Sequence, residues 1–560
     1  MQDTIRQAVQ AALAAEGVAN NLAFVVEHPN DRNYGDYTTN AALVAAKQLE
    51  ATPREVAERL VARLEGKLPQ VAILTIAGPG FINLTLTREY LLSQIQHAVS
   101  QGSLWGGNQS EADKEILLEY TSPNLFKPLH IGNLVGNIVG ESLARLYTYA
   151  GATVHRINYP SDIGLTVAKG VWGLQQSDAD PNDITAIGEA YRRGNDAYEQ
   201  DDAAKAAIEN INRALYAGTD DVINQLRAAG IATSERHLAS ICRQLGTEFG
   251  TTIYESEASA SGKKVVTENI GKVFTESEGA VVFSGERVGL HTRVFLNSQG
   301  LPTYEAKDVG NFLLKQKQYP DWSQSIVVTG GEQREYFKVL YAAIYELYPE
   351  IPKSSLEHIP TGFLTLTTGK MSSRKGKVLT GESLLVELAA AASERASVAA
   401  AEYPAELAEA VGVAALKYQI LRSGLGTDIV FDKERALSFE GDSGPYLQYT
   451  HARINSVLER AQQEGVQADA AALPAMVYEL ERVVYQFPEV VLQALEERAP
   501  HRLVGFLTEL ASEFNTFYAH ESIADKADPH AAYKVLVTQA VQQTLRNGIW
   551  LLGMQAPERM

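Results

Sequence analysis

Residues 122–133, SPNLFKPLHIGN, decide how this chain is read. They stand between a short apolar run at 115–120, EILLEY, and a helical stretch over about 132–150 that Gly151 stops. The next strand pattern lies at 154–158, so the segment is the loop of a β-loop-α-β unit, the opening of a nucleotide-binding α/β fold. The unpaired N–H groups and positive dipole end of the helix favour an anion there. Gly132 lets backbone approach closely, and His130 can donate a hydrogen bond to a phosphate oxygen. On its own such a tetrapeptide is more often just a strand-to-helix loop with a surface histidine, since such tetrapeptides are common.

Downstream, residues of about 170–260 are polar and helix-rich, without strand rhythm. Strand patterns return at 265–266, 280–283, 292–296 and 325–328, and the last meets Gly330-Gly331 and a helical run over 333–348. An alternating stretch at 363–367 then leads to KMSSRKGK, residues 370–377, with four cations in eight residues flanked by Gly369 and containing Gly376. Such a loop can close over a polyphosphate and neutralise charge as pyrophosphate leaves; alone it is equally a solvated basic loop. Helical periodicity dominates from about 384 to the end. Upstream, helical patterns at 4–15, 41–49 and 53–64, a polar turn cluster at 28–40, and two strands over 71–86 around Gly78-Pro79-Gly80 make a small α/β module. Residues 102–107 and the following NQSEAD run read as a linker.

The expected organisation is an α/β chain in four parts. These are an N-terminal module over 1–110, a Rossmann-like domain over 113–380 with an insertion at about 170–290, a connecting stem over 381–430 and an all-helical domain over 431–560. The chain has 560 residues, 45% hydrophobic and 21% charged, which excludes disorder. No run approaches ~18 apolar residues, and the N-terminus lacks a basic-then-apolar pattern, so neither a membrane span nor a secretory signal is expected. A single cysteine, Cys242, rules out an internal disulfide or a multi-cysteine zinc site, and the expected address is cytoplasmic. The net charge of −19 argues against nonspecific nucleic-acid binding but leaves room for local basic patches.

The two loops together narrow the field. A His-x-Gly-x turn followed about 240 residues later by Lys-Met-Ser-Ser resembles the signature pair of class I aminoacyl-tRNA synthetases. Glu119-Tyr-Thr-Ser-Pro-Asn124 leading into Lys127-Pro-Leu-His130, Tyr304-Glu-Ala-Lys-Asp308, and Gly331-Glu-Gln333 resemble the arginyl-tRNA synthetase form of that site. Gly444-Pro-Tyr-Leu-Gln-Tyr-Thr-His-Ala-Arg453 and the terminal Leu-Leu-Gly-Met-Gln-Ala-Pro-Glu-Arg-Met560 are similar to its helical anticodon-binding domain. Gly35-Asp-Tyr-Thr-Thr-Asn40 and Gly80-Phe-Ile-Asn83 resemble its N-terminal additional domain, so the resemblance spans the chain in order.

That resemblance implies two steps: arginine attacks the α-phosphate of ATP to give arginyl-adenylate and pyrophosphate, and the arginyl group passes to the terminal adenosine of tRNA-Arg. It implies that His130, Gly132 and Asn133 bind ATP together with Lys370, Met371, Ser372, Ser373 and Lys375. His130, Asn133, Lys370 and Lys375 would be catalytic. Mg²⁺ would arrive with the nucleotide, with no tightly held protein metal. Asn133 departs from the usual second histidine; it can donate a hydrogen bond but carries no charge.

Guanidinium is a planar fork best met by a carboxylate with an aromatic face beside it, which Tyr304 and Asp308 supply at helical spacing. By position, Glu119, Ser122, Asn124 and Gln333 complete the arginine set. Without the family context Asp308 is equally a helix N-cap, and Gln333 the start of its helix.

Residues 431–560 hold 11 Lys or Arg against 18 Asp or Glu, a local charge of −7, so tRNA must be gripped by selected cations and aromatics. Tyr446, Tyr449, Arg453, Arg546, Trp550 and Met560 are candidates, although Tyr and Trp at helical spacing are equally core. Phe81 and Asn83 match positions that touch the tRNA elbow in the family, while Ala77 replaces a frequent polar residue there. The resemblance further implies a monomer, no membrane partner, and arginine activation that waits for tRNA. A non-catalytic tRNA-binding paralogue is the alternative that Asn133 keeps open. Against it stand Lys370, Lys375, Tyr304, Asp308 and Gln333, all present.

Overall fold

The computed structural model describes residues 1–19, 21–366, 380–397 and 404–560. The N-terminal module is an antiparallel sheet of β1 (Val26–Glu27), β2 (Tyr37–Thr39), β3 (Val71–Ala77) and β4 (Phe81–Leu86) in the order β1-β2-β4-β3. Its Pro53–Leu64 helix starts at a Thr52/Glu55 capping box with proline in the first turn, and buries Val56, Ala57, Leu60 and Leu64 along one stripe. The helix expected over 41–49 stops at Ala45; Glu50 in the following turn takes φ 46°, which ends any helical continuation. A further helix, Arg88–Gln101, follows β4 and was not read from the sequence, because its apolar stripe is weak.

The expected linker at 102–107 is pinned rather than free. Trp105 is buried and its indole N–H donates to Thr544 Oγ1 at 3.0 Å, while Asn547 Nδ2 donates to the carbonyls of Gly102 and Trp105 at 2.9 Å each.

The central sheet is built from β5 (Glu115–Glu119), β6 (Thr153–Asn158) and β7 (Thr251–Thr252). A separate antiparallel sheet of β8 (Thr275–Ser277), β9 (Ala280–Phe283) and β10 (Arg293–Leu296) then intervenes before β11 (Gln324–Gly330) and β12 (Leu356–Thr361) complete the first. The central order is β12-β11-β5-β6-β7, all parallel. Ile116, Leu117 and Leu118 are all buried, as a strand covered on both faces requires. β5 neighbours β6 on one side and β11 on the other, so the winding reverses between β5 and β11, and a crevice opens at their carboxyl ends.

Two separate excursions leave this sheet. Four helices, Leu165–Gln175, Ile184–Gln200, Asp202–Ala217 and Asp221–Gln244, lie between β6 and β7, and the small sheet lies between the Glu255–Glu268 and Tyr304–Gln318 helices. Residues 265–266, expected as a strand, lie inside the Glu255–Glu268 helix. That helix packs backbone to backbone on the Tyr304–Gln318 helix: a Cβ on Gly262 would meet the Ala306 carbonyl at 1.7 Å. Tertiary contact of this closeness overrides the strand preference of two valines.

The C-terminal region is helical, chiefly Gly444–Gln463, Pro500–His520 and Ala531–Leu551. One exception to the expected helices is β14 (Ile429–Phe431), which pairs in parallel with β13 (Leu364–Leu366). The central sheet and C-terminal helices share one core, with Ile138, Leu143, Val411, Leu447 and Leu545 in contact through a single cluster. The N-terminal module has its own core, joined by Tyr485, and the four inserted helices have theirs. No described helix is long and apolar enough to cross a membrane.

Candidate active site

The Ile131–Tyr149 helix begins at the crevice between β5 and β11, with His130 as its N-cap. Gly132 N–H donates to His130 Nδ1 at 3.1 Å, and a Cβ on Gly132 would sit 3.3 Å from that nitrogen, so glycine leaves the ring room to fold back. With Nδ1 an acceptor, the neutral ring carries its proton on Nε2 and presents a donor outward. Burial and the Lys127 ammonium lower the His130 pKa, which favours that neutral form.

Asn133 completes the cap. Its Oδ1 accepts from His130 N–H at 3.1 Å and its Nδ2 donates to the Thr121 carbonyl at 3.0 Å. Asn133 thus braces the loop: its acceptor and one of its two amide hydrogens are spent there, and one N–H remains for the expected phosphate contact. Lys370, Met371, Ser372, Ser373 and Lys375 lie outside the described residues.

The loop before the cap is bent by positive φ at Thr121 (77°), Ser122 (37°) and Phe126 (65°), a conformation non-glycine residues pay for. Phe126 holds it there. Its ring is fully buried among the inserted helices, where Gly170 and Gly230 make space: a Cβ on either would lie 2.6 Å or 2.2 Å from the ring. Neither residue drew notice in the sequence, because a phenylalanine beside a proline-rich loop carries no signal of what it will pack against.

Tyr304 and Asp308 stand one turn apart at the start of the Tyr304–Gln318 helix. Asp308 is in its second turn, with Thr303 at the N-cap, so the alternative of Asp308 as a cap is excluded. Tyr304 is 60% exposed, and the Lys307 ammonium lies 5.1 Å from its ring centre. Asp308 Oδ2 accepts from Tyr336 O–H at 2.5 Å. Burial, with the nearby Glu119 and Glu255 carboxylates, pushes its carboxyl up to about 8 despite that hydrogen bond.

Glu119, at the end of β5, is buried; Lys315 ion-pairs with it, and Asn311 Nδ2 donates to it at 2.8 Å. Glu255, which the sequence reading did not single out, is also buried, and accepts from Lys307 Nζ at 2.8 Å and Ser161 Oγ at 2.9 Å. A lone glutamate opening a helix looks like N-terminal charge complementarity, and only the fold brings it beside Asp308. Three carboxylates thus face two ammonium groups, and among the described residues Asp308 has no ion-pair partner.

The other expected arginine ligands make no hydrogen bond or ion pair to this cluster among the described residues. Asn124 is exposed and bridges to Ser161, which in turn touches Glu255. The Ser122 hydroxyl is buried with no hydrogen-bond partner among the described residues. Gln333 is exposed and precedes the Arg334–Leu347 helix, whose Tyr336 holds Asp308. Among the described residues no group of three or more His, Cys, Asp or Glu is arranged to hold a metal.

In the C-terminal helices, Tyr449, Arg453 and Met560 line one open groove of about 1020 Å³, together with Arg460, Tyr518 and Lys526, which the sequence reading missed. The Arg453 guanidinium lies 4.8 Å from the Tyr449 ring centre and 5.6 Å from that of Tyr518. Trp550 is not in this groove; it packs against Arg145 at 5.0 Å and Tyr149 at 6.0 Å, on the central domain's first helix. Tyr446 is half-buried and accepts from Asn515 Nδ2 at 3.0 Å, and Arg546 is exposed outside the groove. Phe81 and Asn83 share the outer face of β4, but Asn83 is buried between Thr38 and Thr75 on the flanking strands, leaving Phe81 as the accessible one.

Three family models match. "tRNA synthetases class I (R), catalytic domain" matches residues 94–433, "DALR anticodon binding domain" residues 447–560, and "Arginyl tRNA synthetase N terminal domain" residues 1–86. The arginine–tRNA ligase of Chromobacterium violaceum is 30% identical over 99% of this chain and 99% of its own length. That of Treponema pallidum is 29% identical over 96% of this chain and 95% of its own. Among solved structures, Thermus thermophilus arginyl-tRNA synthetase superposes with a TM-score of 0.80 at 25% identity, each chain covered in full. The Plasmodium falciparum arginyl-tRNA synthetase shares the fold, with a TM-score of 0.82 at 18% identity. With the catalytic model alone spanning more than half of its length, this chain belongs to the class I arginyl-tRNA synthetases.

Proposed function

We propose that this chain activates L-arginine with ATP and transfers it to tRNA-Arg, and that the cluster of Glu119, Glu255 and Asp308 is the arginine side-chain pocket. The carrying observation is the charge balance: two lysines answer two of the three carboxylates, and Asp308 is left to a cation that the substrate brings. A guanidinium supplies that charge and five donors in a plane, which Asp308 meets on an edge and the Tyr304 ring on a face. Lysine brings the charge without the fork, and citrulline the shape without the charge.

The arginine carboxylate attacks the α-phosphorus of ATP, the bond to the β-phosphate oxygen breaks, and pyrophosphate leaves with its electron pair. His130 Nε2–H and the first N–H groups of the Ile131–Tyr149 helix stabilise negative charge on the phosphates, with Mg²⁺ entering as part of the nucleotide. Asn124 and Gln333 receive the α-amino and carboxylate groups. Lys370 and Lys375 neutralise the departing pyrophosphate, and Met371, Ser372 and Ser373 bind the nucleotide with them. The 3′-terminal adenosine hydroxyl of tRNA then takes the arginyl group and releases AMP. The Tyr449–Arg453–Met560 groove takes an anticodon base by stacking and charge, with Phe81 meeting the tRNA elbow. The chain works as a monomer in the cytoplasm.

The test is ATP–pyrophosphate exchange with arginine, lysine or citrulline, each with and without tRNA-Arg. Exchange with arginine alone among the three is expected, and only when tRNA is present. Exchange without tRNA overturns the tRNA requirement; exchange with lysine or citrulline at arginine's rate overturns the pocket. No exchange from folded protein returns the chain to a tRNA-binding role.

A further inference from the structure

Asp308 also lines a cavity of about 30 Å³. That is room for one water molecule, which needs ~10–15 Å³ and two to four polar partners. Its walls include Asp308, Glu119, Asn311, Lys315 and Tyr341, between apolar side chains such as Val327, Leu340 and Ile344. Two of the polar atoms on these walls have no hydrogen-bond partner among the described residues: Asn311 Oδ1, on a side chain 4% exposed, and the buried Tyr341 hydroxyl. The first is an acceptor without a donor, and the second a donor without an acceptor. Leaving both unsatisfied in an apolar wall costs more than ordering a water does.

The remaining valences match as well. Lys315 Nζ spends one of its three N–H groups on Glu119, and the Asp308 carboxylate keeps lone pairs free after accepting from Tyr336. Two donors on these walls, Tyr341 O–H and Lys315 N–H, and two acceptors, Asn311 Oδ1 and the Asp308 carboxylate, match in number and kind the four valences of one water.

We propose that the cavity is a built water site, and that Tyr341 and Asn311 are positioning residues that act through this water to orient Asp308 for the arginine guanidinium and to favour the carboxylate that pairs with it. The inference rests on the reading of Asp308 as the guanidinium's acceptor. The water links the Lys315 ammonium to a carboxylate it does not touch. It thereby adds to Tyr336 from the Arg334–Leu347 helix and Lys315 on the same helix as Asp308, which favour the carboxylate, and works against Glu119 on β5 and Glu255 from the Glu255–Glu268 helix, which disfavour it; Tyr159 after β6 and Lys307 are the other polar and charged neighbours. Tyr341 therefore sets arginine affinity without touching arginine.

The experiment compares the wild type with Tyr341→Phe in arginine-dependent exchange at saturating tRNA, titrating arginine and ATP separately between pH 6 and 9. Tyr341→Phe keeps the ring and its packing and removes only the hydroxyl. The expected result is a KM for arginine raised about fivefold to tenfold, with kcat and the KM for ATP within about twofold, the size of one lost hydrogen bond. The acid limb of kcat/KM for arginine also moves to higher pH while that of kcat stays. An unchanged arginine KM, or equal rises in both KM values, overturns the proposal. Asn311→Asp, which adds a charge to the same cavity at constant volume, should raise the arginine KM further; no change in it overturns the proposal as well. A crystal structure of the wild type must show the water on all four partners. The wild-type preference for arginine over lysine and citrulline tests the pocket itself, so loss of that preference is told apart from failure of the water site.

Discussion

Asp308 is the residue on which the chemistry and the electrostatics meet. Its folded carboxyl lies at about 8 against an ordinary 3.8, so the protein takes up a proton there on folding. With the folded value raised, the group's contribution to stability falls as pH climbs from about 4 to about 8. If Asp308 receives the arginine guanidinium, as proposed, the added positive charge favours the ionised form, and arginine binding below pH 8 should release that proton. The KM for arginine should therefore fall as pH rises from 6 to 8. Calorimetry in two buffers of different ionisation heat should show proton release in that range and little above it. Asp308→Asn removes both effects. A neutral amide cannot pair with a guanidinium, and kcat/KM for arginine should drop about 100-fold or more, by analogy with a truncated charge pair worth ~2–5 kcal/mol. A flat pH profile in that variant is part of the same expectation.

At the scale of one element, the start of the Ile131–Tyr149 helix does two jobs with one set of groups. The cap that satisfies its first N–H groups also fixes the His130 tautomer, and Asn133 ties the cap to Thr121 in the bent loop. A histidine at 133 would lack an acceptor and a donor on the same planar end, so the carboxamide fits this brace on its own terms. Asn133→Ala should cost about 1 kcal/mol of stability, the usual worth of a cap, and lower kcat about tenfold while the KM for arginine changes little. A fall in arginine affinity with kcat intact would show that the brace serves the amino-acid side instead. The loop's other anchor is Phe126, whose ring makes the inserted helices part of the active-site scaffold.

At the scale of the whole molecule, the N-terminal module is bound to the C-terminal helices by buried charge. Arg482 pairs with Asp36, and Arg88 with Glu481, whose carboxylate also accepts from Tyr533 O–H at 2.5 Å. Glu489 accepts from Tyr37 O–H at 2.8 Å and pairs with His28 at 3.2 Å. Burial works against its ionisation, but the His28 hydrogen bond and the positive charge around it win, and its carboxyl falls to about 2. A depressed folded value gives stability that is present above about 4.5 and lost as pH drops toward 2. Glu489→Gln should remove that acid-sensitive part: its melting temperature should lie below the wild type's at pH 7, and the gap should narrow steadily as pH falls from about 4.5 toward 2. Parallel curves would place the contact outside the stability of the interface. The fully buried Lys417 donates to the carbonyls of Leu245 and Gly553 at 2.6 Å each, joining the end of an inserted helix to the end of the C-terminal one.

The loop at 122–133, the spacing of Tyr304 and Asp308, and the apolar period of the long helices are local patterns. The order of the parts, the parallel sheet's first unit and the nucleotide loop were legible from them because turn chemistry and helix starts are decided within a few residues. Residues 265–266 misled for the same reason, since a two-residue β-branched run is overridden by the close helix contact at Gly262. Glu255, Lys307, Lys315, Tyr336 and Tyr341 could not be found this way. They come from three helices, and each alone looks like a helix-capping acid, a surface cation or a core aromatic. Only the fold converges them on Asp308, and the tuning of a carboxylate depends on which charges share its low-dielectric surroundings, not on which residues precede it in the chain. By itself the sequence determined the architecture's order and the strand-loop-helix unit that His130 caps. The tertiary structure decided the third carboxylate, the brace role of Asn133 and the placing of Trp550 away from the groove, because burial and ion pairing are properties of neighbours brought from afar.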